Sequence, residues 1–290
     1  MPNHFEVTEP TSLLPFLLAQ MPERSRTSVK SLLSHRLVSV NNEVVTQFNH
    51  PLVAGQEVVI HRTGAGQTEP GRGLKIVHED AHLIVVEKPA GLLSMAADTE
   101  RDITAYSLLS AHVKRASPQN RIFIVHRLDR ETSGLMMFAK SQAAQQALQE
   151  DWAEAVLERI YVAVVEGQLQ EPEGTVTSWL KENKALVMRS SRTPNDGQKA
   201  TTHFRVLQSN AVCSLVELRL ETGRKNQIRV HMQDLGCSVV GDLKYGATQN
   251  PIRRLALHAR VLAFRHPVTG EALRFEAPTP KEFLRLVQRP

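Results

Sequence analysis

The stretch IFIVHRLDRETSGLMMFAK, residues 122–140, decides how the chain is read. Two apolar runs, Ile122–Val125 and Leu135–Phe138, enclose the polar knot HRLDRETSG at 126–134. Runs of this length and composition predict a strand entering and a strand leaving. Thr132-Ser133-Gly134 reads as the turn between them. Asp129 is then expected at a strand end, held by the sheet rather than by a loose loop. Arg127 and Arg130 flank it. Desolvation among apolar strands disfavours a charged carboxylate, and a nearby guanidinium favours it. Such a group suits work as an anionic nucleophile or base. The spacing alone leaves a second reading open, in which Asp129 caps a turn and the arginines are surface pairs.

Outward from the knot, strands and helices alternate without a strict repeat. LIVVEK (83–88) reads as a strand ending at Pro89, and QAAQQALQEDWAEAVLE (142–158) as a helix. RIYVAVVEG (159–167) reads as a strand closed by Gly167. ATTHFRVLQS (200–209) and CSLVELRLE (213–221) form a β-hairpin pair, and LHARVLAFRHP (257–267) and ALRFEAP (272–278) are closing strands. KNQIRVHMQDLG (225–236) is a helix whose Ile228, Met232 and Leu235 share a face, with Gly236 as its stop. Adjacent strands mixed with helices predict an α+β fold with a mixed, largely antiparallel sheet.

The chain has 290 residues, 41% hydrophobic and 22% charged, which excludes intrinsic disorder as the dominant state. No apolar run is long enough to span a bilayer. The opening MPNHFEVTEP does not have the pattern of a secretory signal. Cys213 and Cys237 make no disulfide framework and stand in no zinc-like spacing, so a reducing cytoplasm is expected. The net charge of +5 is compatible with a polyanionic partner without requiring one.

RTGAGQTEPGRG (62–73) carries four Gly and no apolar residue larger than alanine, and reads as a flexible linker over 63–73. It separates a unit at 1–62 from one at 74–290. In the first, SLLPFLLAQ (12–20) and the stretch after Ser25 predict two helices. Val38 and Val40, the turn Asn41-Asn42, Val44-Val45 and EVVIH (57–61) predict a small sheet. Arg24, Arg26, Lys30 and Arg36 lie on or beside the second helix, forming either a solvated face or a phosphate-contacting one.

The order SRTSVKSLLSHRLVSVNNEVV followed by GQEVVI resembles the alpha-L RNA-binding domain of the S-four type. That resemblance implies a basic surface for structured RNA, with Arg24, Arg26, Lys30 and Arg36 as contacts. Over 74–290, EKPAGL (87–92), HRLDRETSG, YVAVVEG (161–167), GQKATTHFRV (197–206), TGRKNQIRVHMQDLG (222–236), GDLKYG (241–246) and LHARVLAFRHPVTGEALRFEAP (257–278) resemble RluA/RluD-type RNA pseudouridine synthases. The resemblance implies that Asp129 is the catalytic aspartate and that Arg229 forms an ion pair with it. It further implies that Tyr161 packs against the target base, that Arg127 enters the RNA stack vacated by the uridine, and that Ile228 walls the pocket. Three departures stand out. Arg159 replaces the usual Lys two residues before the tyrosine, Lys225-Asn226 replaces Thr-His, and after EKPAGL the usual His-Pro is absent, with LSMAAD (93–98) standing instead.

The implied reaction breaks the N1–C1′ bond of uridine, turns the uracil and rejoins it through C5. It is an isomerisation for which neither cofactor nor metal is expected, and no Walker loop, dinucleotide fingerprint or metal cluster is found in the sequence. Expected partners are structured RNA, ribosomal RNA ahead of transfer RNA, with no membrane and a monomeric state. Two rivals are an inert RNA-binding protein and a hydrolase. The second usually needs a paired carboxylate, for which Glu131 is badly placed.

Overall fold

A computed structural model describes residues 3–22, 24–34, 38–41, 43–60, 73–96 and 103–288. Arg36, Asn42 and all of the expected linker except Gly73 lie outside the described residues. The chain divides into two compact units, Met1–Gly73 and Leu74–Pro290.

In the first unit, β1 (Asn3–Glu6) and β2 (Thr11–Ser12) precede α1 (Leu13–Gln20) and α2 (Arg26–Ser34). The strands β3 (Val38–Val40), β4 (Glu43–Val44), β5 (Pro51–Leu52) and β6 (Glu57–Ile60) follow. The order β1-β6-β3-β4 makes an antiparallel sheet, and β2 pairs with β5. Leu13 and Leu17 of α1 and Val29 and Leu33 of α2 bury against Val38, Val40 and Val58. Arg24, Arg26 and Lys30 stay exposed, as the helical spacing of the apolar residues requires. Lys30 Nζ lies 5.4 Å from the centre of the Phe48 ring.

The second unit runs β7 (Lys75–Glu79), β8 (Leu83–Lys88), α3 (Ala105–Ala116), β9 (Phe123–Ile124), β10 (Ser133–Ala139), α4 (Gln142–Glu150), α5 (Trp152–Ala155) and β11 (Val156–Glu166). Then come β12 (Glu173–Glu182), β13 (Met188–Ser191), β14 (Gln198–Ser209), β15 (Cys213–Leu220), α6 (Gln227–Asp234), β16 (Leu257–Arg265), β17 (Ala272–Glu276) and α7 (Lys281–Gln288). One sheet has the order β13-β12-β14-β15-β11-β16-β10-β8-β7, with β17 beside β16 and β9 beside β10. Among its described pairings only β10 with β16 is parallel, so the sheet is mixed and largely antiparallel, an α+β architecture.

Two neighbouring strands, β8 and β10, explain why the run around the knot is so apolar. Leu83 and Val85 of β8, with Leu135 and Met137 of β10, face Ala144 and Leu148 of α4. Ile84 and Val86, with Met136 and Phe138, face Leu109 and Val113 of α3. A strand covered on both faces needs apolar residues at every position, not at alternate ones.

Three local expectations change. β10 begins at Ser133, so Ser133-Gly134 belong to the strand and not to a turn. The turn lies earlier, where the Thr132 N–H donates to the Asp129 carbonyl at 3.1 Å. Asp129 therefore sits in the loop before β10, not at a strand end. Finally, the helix expected over 142–158 breaks at Asp151, and Val156 already opposes Phe264 across the β11–β16 pairing. A β-branched residue with a waiting sheet partner overrides a propensity signal.

Candidate active site

A cleft of about 630 Å3 opens in the second unit, with Arg127, Asp129, Arg159, Tyr161, Ile228 and Arg229 in its wall. These come from the loop after β9, from β11 and from α6, elements far apart in sequence. Five residues expected at the site, Asp129, Tyr161, Arg229, Arg127 and Ile228, are thus brought together. Arg24, Arg26 and Lys30 belong to the other unit.

The loop carrying Asp129 is clamped from both sides by the segment after β8. Ser94 Oγ donates to the Leu128 carbonyl at 2.7 Å and accepts the Leu128 N–H at 3.1 Å. The Arg130 carbonyl accepts from the Gly91 N–H at 2.9 Å and from Lys88 Nζ at 3.1 Å. Lys88 is fully buried and also donates to the carbonyls of Pro89 and Leu92. Burial pulls its ammonium down to about 7, against the opposing charges of Glu131 and Asp129. The residues on either side of Asp129 are thus fixed through their backbones, while its own carboxylate is left to the cleft.

Facing it is Arg229, whose Nη1 stands 3.6 Å from Asp129 Oδ2. This is a secondary contact. The guanidinium's main partner is Asp242, which accepts from Nε at 2.6 Å and from Nη2 at 2.7 Å. The Asp242 side chain is 1% exposed. The Tyr245 ring lies 4.7 Å from the guanidinium carbon. Burial pulls Arg229 down, but the hydrogen bonds and charge of Asp242, with Asp129 behind them, outweigh it and hold Arg229 above its ordinary value. A bidentate pair of this kind fixes the guanidinium plane, leaving Nη1 as the edge turned to the cleft.

Tyr161, on β11, is half-buried between two core clusters. Burial pushes its phenol up; Arg159 draws it back and Asp129 adds to the rise. At neutral pH the hydroxyl keeps its proton and can donate it. Arg159 stacks 5.5 Å from the Trp152 ring and donates to the Glu221 carbonyl at 3.0 Å. A Cβ at Gly223 would come within 2.5 Å of the Arg159 guanidinium, so the glycine leaves room for the larger cation. Arg127 is exposed at the cleft, and Ile228 is buried at 4%.

Sequence reasoning alone did not single out Asp242, Tyr245, Lys88 or Ser94. The first three stand in the quoted stretches GDLKYG and EKPAGL, but nothing local pairs them with Arg229 or with the Asp129 loop.

The sequence model of the family described as RNA pseudouridylate synthase matches residues 82–234. The chain is 36% identical over 267 residues to the uncharacterized RNA pseudouridine synthase YhcT of Bacillus subtilis, covering 90% of this chain and 88% of that one. It is 34% identical over 307 residues to ribosomal large subunit pseudouridine synthase D of Nitrosomonas europaea, covering 99% of this chain and 88% of that one. The solved structure of human RNA pseudouridylate synthase domain containing 4 superposes with a TM-score of 0.60 at 27% identity, covering 72% of this chain and 90% of that chain. The matched family and the shared fold define the class, an isomerase working on RNA. The chain belongs to the RNA pseudouridine synthase family.

Proposed function

We propose that ribosomal RNA is the substrate of this synthase, that Asp129 is its catalytic carboxylate, and that it acts as a monomer in the cytoplasm. The carrying observation is the Asp129–Arg229 contact of 3.6 Å in a cleft that also holds Tyr161. The ribosomal substrate is supported by full-length similarity to the ribosomal large subunit enzyme.

The reaction asks three things of the site. It must take a uridine out of a stacked helix, at a cost of a few kcal/mol. Arg127, exposed beside the cleft, has a planar guanidinium able to stack where the base stood. The site must also present a carboxylate where the N1–C1′ bond breaks, and Asp129 is a carboxylate on a clamped loop. Lastly, it must move a proton from C5 to the solvent side once the C5–C1′ bond has formed. The Tyr161 hydroxyl can relay this proton, its oxygen taking the proton from C5 as its own passes to water, and its ring can lie against uracil, with Ile228 as the apolar wall. Atoms balance without a cofactor, since the uracil leaves and returns within one molecule. In this reading, residues 1–62 are the alpha-L RNA-binding unit, with Arg24, Arg26, Lys30 and Arg36 on phosphates.

The test uses large-subunit ribosomal RNA transcripts carrying tritium at uridine C5, with transfer RNA transcripts beside them. The wild-type protein should release tritium from the ribosomal transcripts and Asp129→Asn should release none while still binding RNA. Equal release from both proteins removes Asp129 from the mechanism, and release from transfer RNA alone removes the ribosomal substrate.

A further inference from the structure

We propose that Asn226 is a positioning residue that sets the edge of Arg229 facing Asp129. The proposal rests on the reading of Asp129 and Arg229 as the reacting pair. Asn226 immediately precedes α6 and adopts a left-handed conformation, φ 55° and ψ 21°. An asparagine at a helix start ordinarily turns its side chain onto the backbone N–H groups of the first turn. Here it makes no such bond. The amide instead bridges two groups of the site. Its Nδ2 donates to Tyr245 Oη at 2.9 Å, and its Oδ1 accepts from Arg229 Nη1 at 3.1 Å.

The nitrogen it holds is the one that matters. Nε and Nη2 are taken up by Asp242, and the Tyr245 ring lies against the guanidinium. Nη1 carries two hydrogens. One goes to Asn226, and Asp129 Oδ2 lies 3.6 Å from the same nitrogen. By keeping Nη1 engaged, Asn226 stops the guanidinium from closing onto Asp129 or turning away from it. The carboxylate keeps a cation at its side and a lone pair for the substrate. Tyr245 Oη, which also accepts from the Met188 N–H at 3.2 Å, ties the bridge to β13.

This assigns a physical role to one of the chain's departures from its family's pattern, where histidine is common. A neutral imidazole has one donor and one acceptor nitrogen, the same pair of functions as the amide. Histidine, like asparagine and aspartate, is enriched in the left-handed region. The position therefore calls for a short side chain that donates once and accepts once and tolerates positive φ.

Two measurements test it. The first uses the free protein. Rotation about the Arg229 Nε–Cζ bond is followed by nitrogen NMR, with the signal assigned by its loss in Arg229→Lys. Asn226→Gly keeps the backbone conformation and removes both bonds. Rotation should quicken at least about tenfold, the lower bound of what one hydrogen bond to a charged group is worth, and Asn226→His should restore the wild-type rate within about twofold. Asn226→Asp keeps the acceptor, so its guanidinium should rotate no faster than in wild type. An unchanged rate in Asn226→Gly, or quickening in Asn226→Asp, overturns the role. The second follows single-turnover tritium release from the ribosomal transcripts at saturating protein. Asn226→Gly should lose about tenfold in rate with RNA affinity unchanged. A loss of affinity at an unchanged rate would make Asn226 an RNA contact instead. If wild type releases no tritium, the ribosomal reading falls, while the rotation measurement still decides the fate of Asn226.

Discussion

At the scale of single residues, one ion pair governs the site. Arg229 is bound to Asp242 at 2.6 and 2.7 Å and only approaches Asp129 at 3.6 Å. The buried carboxylate fixes the cation, and the partly exposed one lies beside it. Asp242→Asn leaves a largely buried guanidinium without its charged partner. It should cost about 3–5 kcal/mol of stability, read from urea denaturation, and should slow tritium release as well. Tyr161→Phe keeps the ring and removes the hydroxyl. On the proposed assignment its single-turnover rate should fall about 10²–10⁴-fold, the usual worth of a general acid or base, with RNA affinity retained. A rate within threefold of wild type would leave the hydroxyl no part in the chemistry.

At the scale of elements, the loop between β9 and β10 is shaped by its neighbour and not by its own residues. Ser94 closes two hydrogen bonds on Leu128, and Lys88 and Gly91 share the Arg130 carbonyl. Ser94→Ala strands a buried N–H and carbonyl at Leu128. It should cost about 1–3 kcal/mol and slow the reaction without weakening RNA binding, as a difference between single-turnover rate and Kd would reveal. The parallel pairing of β10 with β16 sets a second limit. Gly134 has φ 114°, and a Cβ there would meet the Ala259 carbonyl oxygen at 2.1 Å. Gly134→Ala requires backbone movement at the point where these two strands join, and a severe loss of folded protein in expression and thermal unfolding is expected.

At the scale of the whole molecule, buried histidines couple stability to pH. His231 is fully buried between Ser178 and Thr202, and burial lowers it to about 4. His258 is also lowered to about 4, by burial first and then by Arg254 and Arg260. In the unfolded chain both return to about 6.5. Below that pH the unfolded state binds protons that the folded state refuses. Stability is therefore full above about pH 6.5 and falls as pH drops toward about 4, by a few kcal/mol per histidine. Urea midpoints across that range should show the decline, and His231→Gln should make it shallower while His258 keeps its share. In the first unit, Arg24, Arg26 and Lys30 are exposed cations. If they meet phosphates, replacing all three by alanine should reduce the slope of log K against log salt by about 2–3.

The sequence by itself determined the fold class and the family, and named the residues that the fold gathers in one cleft. These are written in local patterns: apolar runs of strand length, an arginine on a helix beside a buried isoleucine, and polar stretches in a set order. It misplaced the support of Asp129, assigning it to a strand end and a Thr-Ser-Gly turn, because the clamp at Lys88, Gly91 and Ser94 acts through backbone carbonyls and amides that carry no signature. It paired Arg229 with Asp129 and passed over Asp242, because two hydrogen bonds and a buried carboxylate exist only after α6 and the turn at 242–245 have packed together. Patterning decides which residues are buried and which elements form; only the packed chain decides which polar groups meet.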